Sequence, residues 1–202
     1  PFTHSYFGDL LSQAQSDLHA LLGLSESHHV LFLQGGASAQ FGLLPMNLLG
    51  DKTSVDYVAT GHWSRRALSA AAACCKVSFA AQGNGVSLPS IWNPSADSAY
   101  CHVTTNETAE GLQFHHIPDI GAIPLVADMT ADFLTRPISI DRFDLIYASA
   151  QKNLGVAGLT VVVVKSKLLG RARRDVPAPF NYTLQARAGS RINTPPTFAV
   201  AL

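Results

Sequence analysis

Two apolar stretches separated by a short polar segment constrain the fold of this chain most strongly. Residues 145–148 and 159–164 are rich in β-branched side chains and show no polar alternation, a pattern typical of strands that are buried on both faces of a sheet. The segment between them contains Lys152, Gly155 and Gly158. The two glycines permit turns that other residues resist. The pattern therefore predicts two core strands with a lysine in the turn that joins them.

Two interpretations of Lys152 are open at this point. As an ordinary strand-end lysine, it reaches solvent and has no further role. Alternatively, it is used chemically, because a buried ammonium group costs free energy unless it is paired or reacts. A lysine that forms an imine with a carbonyl cofactor loses the permanent charge of the free ammonium, and a desolvated lysine is the more nucleophilic one. The rest of the chain decides between the two.

Composition limits the class of protein. The chain has 202 residues, 47% of them hydrophobic and 14% charged, which is typical of one globular domain or of part of a larger protein. The 14 basic and 14 acidic residues balance, so the charge indicates neither nucleic acid nor an anionic membrane as a partner. Cys74, Cys75 and Cys101 form an odd, irregularly spaced set. This favours reduced thiols in the cytoplasm over a disulfide framework or a zinc site.

Strand patterns alternate with helical patterns along the first half of the chain, which predicts an α/β fold with a largely parallel sheet. A first helix is expected over residues 6–24. Further strands are predicted over residues 30–33, 55–60, 76–80, 99–104 and 123–127, and further helices over residues 43–49 and 64–73. In such folds ligands bind at the carboxyl ends of the strands.

Several residues suited to ligand binding follow the predicted strands. Gly36 lies among tiny residues between a strand and a helix, where free N–H groups bind phosphate, although a plain tight turn has the same composition. Ser38 is expected to cap that helix and to donate its hydroxyl. Trp63 either stacks on a flat heterocycle or covers the core. Asp128 directly follows an apolar strand and needs a positive partner. Thr108 follows another strand.

These residues share one predicted rim of the sheet with Lys152, and the rim suits a flat, cationic, phosphorylated aldehyde. Lys152 would bond to the carbonyl carbon, Trp63 would stack on the ring, and Asp128 would pair with a protonated ring nitrogen. The phosphate would lie at Ala37 and Ser38. Pyridoxal 5′-phosphate meets each demand, because a carboxylate beside its ring nitrogen keeps that nitrogen protonated and able to accept electrons. The chemistry predicted is transamination.

Six segments in order along the chain carry a resemblance to a known family. They are residues 34–41 (QGGASAQF), 45–51 (PMNLLGD), 56–64 (DYVATGHWS), 106–108 (NET), 150–160 (AQKNLGVAGLT) and 193–198 (NTPPTF). Together they resemble phosphoserine aminotransferases, which are class V aminotransferases among the fold-type I pyridoxal-phosphate enzymes. The resemblance implies a three-layer αβα fold around a mostly parallel mixed sheet.

The resemblance also implies roles for individual residues. Lys152 would carry the Schiff base, Trp63 would stack on the ring, Asp128 would pair with the pyridine nitrogen, and Thr108 would lie beside the ring substituents. The cofactor phosphate would be bound by Ala37, Ser38 and Gln151. In the family, the Asn-Thr pair of the last motif reaches the cofactor phosphate of the neighbouring subunit. A homodimer is therefore implied, in which Asn193 and Thr194 complete the partner's site.

One motif departs from the family pattern. The family's Ser-His-Arg segment, which binds the substrate phosphate, stands here as Thr-His-Ser at residues 3–5. His4 is then the expected substrate-binding residue, and the planar guanidinium that would best bind a dianion is missing. Both ends of the chain look cut. Residues 1–202 are expected to be the large cofactor-binding domain, without the family's N-terminal segment and small C-terminal domain.

The implied activity exchanges an amino group between glutamate and 3-phosphohydroxypyruvate, giving O-phosphoserine and 2-oxoglutarate in serine biosynthesis. Another member of the same branch, such as a small-amino-acid:glyoxylate aminotransferase, is an alternative. A cysteine desulfurase would need a mobile cysteine, and the cysteines stand in predicted helix and strand runs away from the rim. A third alternative is a catalytically silent homologue or fragment that acts as a dimer partner.

Overall fold

The computed structural model describes residues 2–202 and contains one seven-stranded sheet, a two-stranded hairpin and five α-helices. The strands are β1 (His28–Leu33), β2 (Ser54–Ala59), β3 (Lys76–Gln82), β4 (Cys101–Thr104), β5 (Asn106–Glu107), β6 (Leu112–Gln113), β7 (Leu125–Asp128), β8 (Leu145–Ser149) and β9 (Thr160–Lys165). The helices are α1 (Ser5–Leu22), α2 (Gly36–Leu48), α3 (His62–Ala72), α4 (Tyr182–Arg187) and α5 (Thr197–Ala201). Short 3₁₀ turns occur at Ile140–Arg142, Ser166–Leu168 and Ala178–Phe180.

The sheet is mixed and mostly parallel, as expected. Its strand order is β1-β9-β8-β7-β4-β2-β3, and β9, antiparallel to both β1 and β8, is the one strand that runs in the opposite direction to the rest. The two apolar stretches predicted as core strands are the adjacent strands β8 and β9, with Leu145 paired to Val164. Because they are antiparallel, the segment that joins them, residues 150–159, lies at the carboxyl end of β8.

Helices cover both faces of the sheet, and this produces three layers. In β9, Val161 and Val163 pack with residues of α1 and α5, whereas Val162 and Val164 pack with residues of α2, α3 and α4. Every residue of β9 except the last is buried, which is why the stretch lacks polar alternation. The predicted αβα architecture is confirmed.

The start of α2 differs from the prediction. The helix begins at Gly36 rather than at residue 43, because Gly35 (φ +97°) and Gly36 (φ +68°) turn the chain directly from β1 into the helix. The predicted capping role of Ser38 is wrong, since the N-cap position is occupied by Gly35, and Ser38 lies in the first helical turn. By contrast, α1 closes at Gly23 (φ +63°), as the sequence predicts.

The cysteines lie away from the carboxyl ends of the strands. Cys101 is buried at the start of β4, and Cys74 and Cys75 occupy the turn after α3. All three are free thiols. Among residues 2–202, no helix combines the length and the apolar character that crossing a membrane requires.

Candidate functional site

A pocket of about 260 Å³ lies at the carboxyl ends of the parallel strands, where the sequence predicts a shared rim. Six of the predicted site residues line it: Ala37, Ser38, Trp63, Asp128, Gln151 and Lys152. Gly36 also lines it, and Thr108 contacts two of the lining residues. Ala157 and Gly158, which lie just before the antiparallel strand β9, also line the pocket.

One end of the pocket is formed by the N-terminus of α2. The backbone N–H groups of Gly36, Ala37 and Ser38 have no acceptor within the described part of the chain; the first N–H of the helix that finds one is that of Ala39. A Cβ atom on Gly36 would approach Ser149 Oγ to 3.4 Å. Free N–H groups and the positive end of a 13-residue helix form an anion-binding site.

The opposite wall is an aromatic face linked to the lysine. Trp63 Nε1 donates to Thr108 Oγ1 at 3.1 Å, and Lys152 Nζ donates to the same oxygen at 3.3 Å. The Lys152 amine lies 5.9 Å from the centroid of the Trp63 ring, within the range of a cation–π contact. Thr108 therefore holds the indole and the amine on one side of the pocket.

The position of Trp63 depends on a buried carboxylate that the sequence analysis did not identify. Glu107, in the β5–β6 hairpin, is fully buried and accepts the backbone N–H groups of Trp63 and Ser64 at 2.8 Å each. Glu110 accepts the N–H of His62 at 2.8 Å. A Cβ atom on Gly61 would lie 2.4 Å from a Glu110 oxygen and 2.8 Å from the Glu107 carboxyl carbon, so a larger residue here would require these carboxylates to shift.

The floor of the pocket is the carboxylate of Asp128, the last residue of β7. It is 5% exposed and accepts the Thr130 N–H at 2.9 Å. Burial raises its pKa above the ordinary value, although the hydrogen bond from Thr130, the nearby Tyr147 hydroxyl and the charge of Lys152 oppose the rise. No ion pair to this carboxylate occurs among residues 2–202. Within this part of the chain the carboxylate therefore keeps its capacity to pair with a cation.

Four further polar residues line the pocket and were not predicted, namely Thr104, Asn106, Thr130 and Ser149. Thr104 is the register partner of Asp128, is 3% exposed, and its hydroxyl has no partner in the part of the chain that the structure describes. Ser149 Oγ donates to Gln151 Oε1. The sequence signal that could have identified these four residues is their position in, or shortly after, strands that end at the carboxyl edge of the sheet.

The structure shows how far Lys152 is buried, which the sequence left open. Lys152 is exposed in this chain, as are Gln151 and Gly158. It is exposed because the residue lies in the loop beyond the end of β8, outside the closely packed sheet. Its amine still faces the pocket through Thr108.

Three predicted residues lie outside the pocket. His4 is exposed and caps α1, where its Nδ1 accepts the Tyr6 N–H at 3.2 Å. Asn193 and Thr194 are exposed, and the Thr194 carbonyl accepts from Gln34 Nε2 at 2.6 Å. None of these three residues lines the pocket of the single chain, and their roles stay predictions.

The residues present fit pyridoxal phosphate. The three free N–H groups at the start of α2 suit a phosphate, and the buried carboxylate without an ion pair suits a ring cation. The face of Trp63 and the amine of Lys152 lie on the remaining side. The phosphate end, the ring face and the ring-nitrogen end are therefore all represented in one pocket.

Relatives of known sequence match almost the whole chain. The phosphoserine aminotransferase of Laribacter hongkongensis is 47% identical over 199 residues, covering 96% of this chain and 55% of the relative. That of Chromobacterium violaceum is 46% identical over 200 residues, with the same two coverages. The chain thus spans about half the length of the curated relatives it matches.

Solved structures give the same result. A phosphoserine aminotransferase from Bacillus circulans subsp. alkalophilus superposes with a TM-score of 0.96 at 39% identity, covering 100% of this chain and 57% of that one. A pyridoxal-phosphate-bound phosphoserine aminotransferase from Trichomonas vaginalis superposes with a TM-score of 0.94 at 34% identity, covering 100% of this chain and 62% of that one. The family model for class-V aminotransferases matches residues 3–202. The chain therefore belongs to the class-V aminotransferase family.

Proposed function

We propose that the protein carrying this chain is a phosphoserine aminotransferase, which transfers an amino group from glutamate to 3-phosphohydroxypyruvate with pyridoxal phosphate as cofactor. The observation that carries the proposal is the single pocket in which a helix N-terminus, an indole face, a lysine amine and a buried carboxylate meet. The names of the relatives at 46–47% identity support the same activity.

Each residue has a physical role in this scheme. The N–H groups at Ala37 and Ser38 and the amide of Gln151 bind the phosphate, and Trp63 holds the ring plane. When bound, pyridoxal phosphate carries the amino group between the two half-reactions and withdraws electrons from the substrate. Asp128 keeps a proton on the ring nitrogen because its own burial demands a cationic partner.

Lys152 has two roles in the proposal. Its amine attaches the cofactor aldehyde, and once free it moves a proton at the α-carbon of the substrate. The contacts of its amine with Thr108 Oγ1 (3.3 Å) and with the Trp63 ring (5.9 Å) support this role. Its exposure in this chain allows an amino acid to reach it.

The proposal includes a homodimer in which Asn193 and Thr194 complete the partner's phosphate site. Their exposure and their distance from this chain's own pocket support that role. We further propose that residues 1–202 are the large cofactor-binding domain of a longer protein, because the chain covers 55% of the relatives' length. The three free thiols support a cytoplasmic location.

Two measurements on the full-length protein test the proposal. Borohydride treatment after loading with pyridoxal phosphate is expected to leave a pyridoxyl group on the peptide that contains Lys152, identified by mass spectrometry. No label, or a label at another lysine, contradicts the site.

The choice of the phosphorylated substrate is tested by half-reactions, run in reverse from its amino form. The loaded protein is mixed with phosphoserine or with alanine, and loss of the visible absorbance band is followed. Faster loss with phosphoserine is expected. Faster loss with alanine would favour a small-amino-acid aminotransferase, and no loss with either would favour the silent homologue.

A further inference from the structure

Behind the pocket floor lies a histidine that the proposed function does not use. His102, in β4, is fully buried and does not line the pocket. Its ring stacks on that of Tyr57 with a centroid distance of 4.6 Å and an interplanar angle of 26°. Its Nε2 atom lies 2.9 Å from the hydroxyl of Tyr147. A polar ring fully enclosed in a sheet core needs a reason beyond packing.

Tyr147 connects this histidine to the pocket. It is the register partner of Asp128 in the parallel pair β7 and β8, and its hydroxyl acts on that carboxylate to lower the carboxylate's pKa. Burial and the neighbouring negative charge raise the pKa of Tyr147 well above its ordinary value, so the hydroxyl keeps its proton. Tyr147 is therefore a protonated hydroxyl on the strand next to Asp128, between that carboxylate and His102.

The hydrogen-bond partners available to the two ring nitrogens determine the tautomer of His102. Burial lowers its pKa to about 3, so the ring is neutral and carries one proton. Within residues 2–202 its Nδ1 atom has no partner. A proton on Nδ1 would be a buried donor without an acceptor, and Tyr147 would have to donate to Nε2 instead of to Asp128. A proton on Nε2 allows two bonds in series, the second strengthened by the negative charge of the carboxylate.

We propose that His102 and Tyr147 form a buried hydrogen-bond chain that holds Asp128 ionised and aimed at the ring nitrogen of the cofactor. His102 is a positioning residue that acts through Tyr147, and neither residue touches the substrate. The inference rests on the proposed function, because it assumes that Asp128 pairs with a cationic ring. It assigns a supporting role at that site to one residue of β4, His102, and one residue of β8, Tyr147.

The proposed hydrogen-bond chain predicts how the ligand affinities of variants of the full-length apoprotein compare. Affinity is measured for pyridoxine phosphate, which keeps the ring nitrogen and phosphate but lacks the aldehyde, so covalent attachment to Lys152 plays no part. Tyr147→Phe and His102→Phe are each expected to weaken binding by roughly tenfold, the effect of one lost hydrogen bond to a charged group. The double variant is expected to bind no more weakly than Tyr147→Phe alone.

Two controls separate positioning from packing. His102→Gln supplies an amide N–H in place of Nε2–H and is expected to restore part of the affinity. Tyr57→Phe removes a hydroxyl on the other side of His102 that contacts Tyr100 Oη at 3.4 Å, not Asp128, and is expected to leave affinity unchanged. Additive losses in the double variant, or an equal loss in Tyr57→Phe, would overturn the proposal.

A second measurement does not depend on ligand binding. In the ¹⁵N-labelled, ligand-free wild-type protein, the His102 imidazole is expected to be neutral at pH 7 with its proton on Nε2. An Nδ1–H tautomer or a charged ring would refute the hydrogen-bond chain. If wild-type protein binds no pyridoxine phosphate although this tautomer is present, the proposed function fails while the hydrogen-bond chain stands.

Discussion

The floor and the lysine wall of the pocket are built in different ways. Thr104, Asp128 and Ser149, which form the floor, are the last residues of three adjacent strands and are only 3–5% exposed. Gln151 and Lys152, on the wall, lie in the loop after β8 and are exposed. The floor is held by backbone and side-chain hydrogen bonds, whereas the lysine amine makes one side-chain bond of 3.3 Å.

This difference separates preorganisation from mobility. The Asp128 carboxylate, which pairs with a ring cation in the proposed function, is held at the end of a buried strand, so little reorganisation is required on binding. A lysine that must bond to a cofactor, leave it and return needs the freedom that an exposed loop provides. Substitutions on the wall should therefore lower the reaction rate without changing the free energy of unfolding. Substitutions behind the floor should change both quantities.

The largest effect is expected for Lys152→Ala on the wall. Transamination by the full-length protein should fall by at least about a thousandfold, because both the attachment point and the proton-transfer group are removed. Its free energy of unfolding should change by less than about 0.5 kcal/mol, since the residue is exposed. Lys76→Ala, at an exposed position of β3, is the control and should change neither quantity. A large loss of stability in Lys152→Ala would contradict the comparison.

A smaller loss is expected for Asp128→Asn on the floor. The neutral amide cannot hold a proton on the ring nitrogen, so the transamination rate should fall by about a hundredfold. Single-turnover kinetics with phosphoserine measure this step directly. Because Lys152 is unchanged, borohydride labelling of that lysine should persist. A rate close to that of the wild type would show that Asp128 does not face the ring.

Glu107→Gln tests the support behind Trp63. The buried carboxylate accepts two backbone N–H groups and the Thr60 hydroxyl, and the amide nitrogen of glutamine cannot accept. Unfolding free energy should fall by about 2 kcal/mol, measured by urea denaturation. Glu110→Gln is the matched control and should lose less, because Glu110 accepts one N–H and is only partly buried. Equal losses in both variants would contradict the role of Glu107.

The smallest effect concerns pH. The pKa of His102 is about 6.5 in the unfolded chain, and burial lowers it to about 3 in the folded protein. Its neutral form therefore favours the native state above pH 6.5, and this contribution is lost as the pH falls below 6.5. Between pH 7.5 and 5.5 the wild type should lose about 1.4 kcal/mol more than His102→Gln. The neighbouring groups Tyr57, Tyr147 and Asp128 are common to both proteins, so the difference isolates His102. Parallel stability curves would contradict a buried neutral ring.

Local sequence pattern predicted the strands and the rim well. The runs at residues 145–148 and 159–164 are strands because a sheet buried on both faces requires continuous apolar residues. Trp63 and Asp128 follow predicted strands, and parallel strands necessarily place such residues at one edge. These inferences need only the order of residues along the chain.

The sequence by itself thus determined the αβα layers, the location of the pocket and half of the residues that line it. Only the tertiary structure decided that α2 begins at Gly36, that Lys152 is exposed, and that Glu107 supports Trp63. It also decided that His102 lies behind Asp128, through Tyr147 on a different strand. The reason is physical: periodicity and turn chemistry act between near neighbours along the chain, whereas burial and hydrogen-bond partners depend on residues brought together from 45 positions apart.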